Sequence, residues 1–162
     1  MFRRFCVIAV VCCTIACSGT ATEPPAGTRL AITRLSTGPY SLTFYSAIGE
    51  SERLVIRDNA TWQSVWTSMW RNVSPTPALP NVDFTREMLI VAALGSRSTG
   101  GYSIVVDSAV MTSGELTVWV GTSSPGPRCL TTQAFTAPVD IARIQRIDAP
   151  VAFVDVPTVV QC

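Results

Sequence analysis

The run Met88 to Leu94 (MLIVAAL) constrains the fold more than any other part of the sequence. It has no polar break, so it cannot be a strand with one solvated face. It is also too short for an independent helix, and it reads as a central strand buried on both faces. Segments of β-forming residues lie on either side of it, at 29–35, 40–48, 53–57, 102–110, 115–120, 130–137, 141–147 and 151–156. Turn chemistry at Ser36-Thr37-Gly38-Pro39 and Thr112-Ser113-Gly114 separates some of these, and Pro138 divides the 130–137 and 141–147 pair.

One stretch has a different period. Trp62, Trp66 and Trp70 recur at i, i+4 and i+8, and Met69 and Val73 extend the same face. This predicts an amphipathic helix to about Val73, with Asp58 or Asn59 as its N-cap and the tryptophans in the core. Pro75, Pro77 and Pro80 then stop the helix and hold the connector extended. The expected fold class is α+β: a single domain over residues 29–162, mainly antiparallel β-sheet with one amphipathic helix packed on it.

The N-terminus reads as a targeting segment. Arg3 and Arg4 precede an apolar stretch from Phe5 to Ala16. As a helix it spans about 18 Å, short of the ~30 Å hydrocarbon core of a bilayer. Residues 1–16 therefore have the form of a signal peptide. Ala16 directly before Cys17 resembles a bacterial lipobox, although Thr14 stands where Leu is usual. That resemblance implies cleavage before Cys17 and attachment of diacylglycerol and further acyl chains such as palmitate. Residues 17–28 would then be a lipidated Cys and a flexible tether. The rival is ordinary cleavage near Gly19-Thr20-Ala21, which discards Cys17. Ser18 after the lipidated residue would favour the outer membrane in a diderm host.

Cleavage simplifies the cysteines. Cys6, Cys12 and Cys13 leave with the signal and Cys17 carries lipid, so Cys129 and Cys162 remain as an even pair in an oxidising compartment. A Cys129–Cys162 disulfide is expected, with two free thiols as the alternative.

Composition narrows function. The chain has 12 basic residues, all Arg, 11 acidic residues and no His. Without His the usual general base and the commonest metal ligand are absent, and a Ser–His–Asp triad is impossible. Without Lys there is no Schiff base and no P-loop lysine. Loss of Arg3 and Arg4 leaves 12 − 2 = 10 Arg against 11 acids, a net charge of −1. No nucleic-acid partner, metal or cofactor is therefore expected. Asp83 and Glu87 are four apart, but Asp83 reads as a turn cap at the start of a strand, not as half of a glycosidase pair. The sequons at Asn59 and Asn72 are incidental behind a bacterial export signal.

Two loops stand out. GSRSTGGY (95–102) places adjacent glycines after Thr99, and TSSPGPRC (122–129) is stiffened by Pro125 and Pro127 around Gly126. They belong to an ordered series of signatures. The W-x-x-x-W helix comes first, then Val82-Asp83-Phe84 with Glu87, Thr99-Gly100-Gly101-Tyr102, Thr132-Gln133-Ala134 and Pro138. Over about residues 50–155 this series resembles the PrcB C-terminal domain family, named for a lipoprotein subunit of a bacterial surface protease complex. The departures are near Val139 and Asp140, where an aromatic and a basic residue are more usual.

The resemblance implies a non-catalytic lipoprotein of the cell envelope that binds and stabilises another envelope protein, a protease complex among the candidates. Protein-binding residues are expected at Ser98, Thr99, Gly100, Gly101 and Tyr102, and at Ser124, Pro125, Gly126 and Arg128. Arg97 would add charged hydrogen bonds. STGGY is also similar to the wedge loop of chagasin-type inhibitors, which implies an extracytoplasmic protease inhibitor as the alternative. A structural envelope protein without a specific partner is the third reading.

Overall fold

The computed structural model describes residues 27–35 and 46–162. Cys17, the expected signal segment, the expected turn at Ser36–Pro39 and most of the expected 40–48 strand lie outside the described residues. Among the described residues no helix is long and apolar enough to cross a membrane.

The chain forms β1 (Thr33–Arg34), β2 (Glu52–Ile56), α1 (Asn59–Met69), β3 (Glu87–Ala93), β4 (Ser103–Thr112), β5 (Glu115–Pro125), β6 (Val139–Gln145) and β7 (Val151–Val160). Two sheets result, with strand orders β1-β6-β3-β2 and β4-β5-β7. All pairs are antiparallel except β5 with β7, which is parallel. The α+β class expected from the sequence is thus found.

β3 explains the architecture. It is interior to its sheet, and every residue from Met88 to Ala93 is buried. Met88, Ile90 and Ala92 face the other sheet, where they pack with Ile104, Val106, Met111, Leu116, Val118 and Val120. Leu89, Val91 and Ala93 face the opposite way and pack with Trp62, Trp66, Met69 and Trp70 of the helical segment. Three layers follow: helix, four-stranded sheet, three-stranded sheet.

The helix is built as its sequence predicts at the start and is shorter at the end. Asp58 is the N-cap, and its carboxylate accepts from the Thr61 N–H and Oγ1, each at 2.8 Å. Neighbouring tryptophan rings meet edge-on at 5.1 and 5.6 Å. The indole N–H groups of Trp62 and Trp66 donate to the Pro80 and Pro77 carbonyls at 3.0 and 2.9 Å. The proline connector therefore also satisfies the buried indoles. Helical structure stops at Met69, not Val73. Trp70 is the C-cap, and the Val73 N–H turns back to the Trp70 carbonyl.

Four further expectations are corrected. Residues 130–137 form no strand; they run irregularly, with a single bridge from Thr136 to Arg97. The 115–120 strand continues through Pro125 and takes in Ser124, because β7 offers a parallel partner as far as Val160. The last strand likewise extends past Val156. The 29–35 segment is not one strand: Arg29 bridges Val110 of β4, and Thr33–Arg34 pairs with β6, so this segment laces the two sheets together.

A second lace joins the sheets at a β-bulge between Val106 and Ser108. The Val106 N–H donates to Asp140 at 2.7 Å, and its carbonyl accepts from Arg34 at 2.6 Å. Arg34 also pairs with Asp140 at 3.2 Å. Burial raises the Asp140 pKa above 3.8, and the Val106 N–H and Arg34 oppose this only in part. A carboxyl raised in the folded state supports stability most fully below its unfolded pKa, and that support declines as pH rises through the folded value.

Two outcomes test this arrangement. Trp66→Ala empties the centre of the helix–sheet layer and should cost about 3–5 kcal/mol in urea unfolding; a loss below about 1 kcal/mol would contradict the packing described. Carbon-detected NMR titration should place the Asp140 midpoint above 3.8, and those of Asp58 and Asp83, held down by their hydrogen bonds to Thr61 and Thr85, below it. A midpoint for Asp140 below theirs would reverse the assignment.

Candidate functional site

The two loops singled out in the sequence converge at one end of the sandwich. β4 begins and β5 ends there, and Ser103 pairs with Ser123 in register, with their hydroxyls 2.6 Å apart. Extending that register places Gly101 opposite Pro125. The missing Pro125 N–H costs nothing at this point, because the β4 ladder has already ended.

Gly101 has φ +90°, and a Cβ there would sit 3.3 Å from the Pro125 ring and from the Thr131 methyl. Only glycine provides both the left-handed backbone and the close approach. The Gly100 N–H donates to the Thr132 carbonyl at 3.0 Å, and Thr136 Oγ1 donates to the Thr99 carbonyl at 3.0 Å. Arg97 and Thr136 exchange both backbone hydrogen bonds, at 2.7 and 3.0 Å. Thr131, Thr132 and Thr136 are therefore the frame against which the STGG turn is built, and of the Thr132-Gln133-Ala134 signature it is Thr132 that makes the contact.

The C-terminus closes the other side of this end. Cys129 is disulfide-bonded to Cys162, and the Gly126 N–H donates to the Val160 carbonyl at 2.9 Å. The loop after β5 is thereby tied to the last strand. On this frame two large apolar side chains stand out in solvent, Leu130 at 102% and Phe135 at 81% relative exposure. Nothing in the sequence marks them as surface groups, since 130–137 has the composition of a strand.

At the same end a cleft of about 300 Å³ opens where β5 ends, against β7. It is lined by Leu94, Arg97, Tyr102, Thr122, Ser123, Ser124, Pro157, Thr158 and Val159. Arg97 is the charged group in it. The guanidinium carbon lies 5.7 Å from the centre of the Tyr102 ring, a stacking worth about 0.5–1 kcal/mol at such a partly exposed site. Of the expected binding residues, Tyr102 and Ser124 line this cleft. Thr99, Gly100, Gly101, Pro125 and Gly126 shape the backbone around it, and Ser98 and Arg128 lie outside it on the exposed surface.

Asp83 and Glu87 are each engaged with a different partner. Asp83 accepts from the Thr85 N–H and Oγ1 at 3.0 and 2.6 Å, as a turn cap. Glu87 lies 3.6 Å from Arg143. Among the described residues there is no group of three or more Cys, Asp or Glu that could hold a metal ion.

The fold and this end define a layered α+β domain whose loops and C-terminus are fastened into one rigid surface. Residues 88–145, from β3 through β6, match the family described as PrcB C-terminal. The match is to the family resembled by the ordered signatures, and it spans the STGGY and TTQA segments and Pro138 but not the tryptophan helix or Val82-Asp83-Phe84. α1 and β7 lie outside the matched stretch. No curated protein and no solved structure shows a significant match.

Replacing both Cys129 and Cys162 by Ser should lower stability by about 3–4 kcal/mol, from the 33-residue separation that the bond closes. Hydrogen exchange at the Gly126 amide should rise more than at the Ile90 amide in the same variant. Equal change at both would mean that the bond does not organise this end of the domain.

Proposed function

We propose that the protein is a lipid-anchored, non-catalytic module of the cell envelope that binds another envelope protein through the loop end described above. The observation that carries this reading is the pair Leu130 and Phe135, held almost fully in solvent on a frame of paired backbone and a disulfide. Large apolar groups held in solvent on a fixed frame suit a surface that a partner covers. The sequence agrees, since it contains neither His nor Lys to support the commoner catalytic chemistries.

Placement of the tether suits the same role. Gly27 hydrogen-bonds to Met111, near the turn that joins β4 to β5, whereas the Leu130 and Phe135 end lies at the other end of those strands. A β4 of ten residues extends about 33 Å. A lipid at Cys17 would therefore join the domain at the end opposite the loop surface. A protease complex is one candidate partner, and in a diderm host the outer membrane is the expected site.

The inhibitor alternative is less well supported. Tyr102 packs against the core and stacks with Arg97, so its ring does not project as a wedge.

The anchor and the surface are tested separately in the native host. Metabolic labelling with an alkyne palmitate analogue should mark the wild-type protein and not Cys17→Ser, which should also leave the membrane fraction. A mature chain beginning at Thr22 without lipid overturns the anchor. A photoreactive amino acid at position 130 or 135 should give a discrete cross-linked species that is absent when the same group is placed at Gln63 on the exposed helix face. Identical patterns at all three positions would remove the loop end as the binding surface.

A further inference from the structure

β7 is the edge of its sheet, and among the described residues only β5 pairs with it. Two hydrogen bonds fix which of its backbone groups are spare. The Leu116 N–H donates to the Pro150 carbonyl, and the Gly126 N–H donates to the Val160 carbonyl, both at 2.9 Å. In a parallel ladder, N–H and C=O of one residue point to the same side, and the side alternates along the strand. Even-numbered residues of β7 therefore face β5. Val151, Phe153, Asp155, Pro157 and Val159 direct their backbone groups to the open edge. Pro157 has no N–H, so it interrupts the outward donors. An unbroken set is left at Val151, Phe153 and Asp155.

The side chains of these residues take the inner face. Val151 and Phe153 pack on the core, and Asp155 meets Arg53 of β2 at 3.0 Å. The open edge is thus firmly seated from below. Natural edge strands are commonly blunted by charge, proline or covering segments. Here the proline blunts only the far half.

The point where the outward donors stop is the point where the cleft begins. Pro157, Thr158 and Val159 form one wall of the 300 Å³ cleft that holds Arg97, Thr122 and Ser124. Arg97 spends one hydrogen bond on the Ser96 carbonyl and forms no ion pair among the described residues. Edge and cleft are therefore continuous: a short backbone ladder, followed by a recess with a single positive charge and several hydroxyls.

Resting on the reading of this protein as a binding module, we propose that β7 and this cleft form one docking groove for the C-terminal tail of a partner protein. The tail adds as an extended strand parallel to β7 along Val151–Asp155, and its terminal carboxylate enters the cleft toward Arg97. Direction follows from charge and topology. β7 runs toward the cleft, so only a parallel chain brings its C-terminus there, and the lone cation complements one carboxylate. A second copy of this chain is the poorer occupant. A ladder of five residues from each copy would bury too little for a stable dimer, which needs about 1,000 Å².

The test uses the purified full-length protein in detergent and a random decapeptide library displayed with free C-termini. Enriched peptides are expected, and amidating their C-terminus or introducing Arg97→Ala should each weaken binding by about tenfold or more. N-methylation of alternate peptide residues should abolish binding in one register and spare it in the other, a readout that does not depend on the folding of any variant. No enrichment, indifference to amidation, or equal effects of the two N-methyl registers would overturn the groove. Self-association of the full chain that is lost with Asp155→Pro would overturn it in favour of a dimer. If the groove fails while cross-links at positions 130 and 135 persist, the binding-module reading stands without it; loss of both refutes both.

Discussion

The whole molecule depends on burying β3 from two sides. A strand with apolar side chains on both faces needs a partner layer above and below, and neither layer is stable alone. The helix is short and its tryptophans would be exposed without the sheet, while the inner face of the three-stranded sheet, with Ile104, Val106, Leu116 and Val118, is covered by β3 and β6 together with Leu30, Leu94 and Ile147. Burying a side chain of this size is worth about 1.5–3 kcal/mol. The layers therefore form together or not at all.

Polar groups are arranged around that constraint. The Trp62 and Trp66 indoles use proline-connector carbonyls, and the backbone freed at the β4 bulge is taken up by Arg34 and Asp140. Each buried donor or acceptor left unmade would cost about 1–3 kcal/mol. These contacts contribute less by their own strength than by leaving few such groups unsatisfied. The contacts among Arg34, Asp140 and Val106 also join the two sheets.

Much of the fold was legible because it follows from local chemistry. The tryptophan period, the Asp58 cap, the apolar run and the Thr112–Gly114 turn each act within a few residues. The misjudged segments were those in which a distant partner decides. Leu130-to-Ala137 has strand composition, yet its neighbours at 95–101 offer it a single bridge and leave Leu130 and Phe135 in solvent. Ser124 and Pro125 look like loop residues, yet β7 gives them a parallel partner and the β4 ladder ends before the proline matters. Of the binding residues inferred from the loops, Tyr102 and Ser124 line the cleft. Its other wall, Pro157 to Val159, lies more than thirty residues away in sequence and has no motif to mark it.

The sequence by itself determined the α+β class, the twice-buried central strand, the helix and its cap, and the signatures from β3 to β6 that match the PrcB C-terminal family. It also excluded histidine chemistry, since composition is independent of folding. Only the tertiary structure decided that β5 pairs in parallel with β7, which side of β7 is open, and that two loops and the C-terminus close into one surface. The physical reason is that periodicity and capping act over three or four residues, whereas strand partnership is settled by competition among edges brought together only when the core is buried.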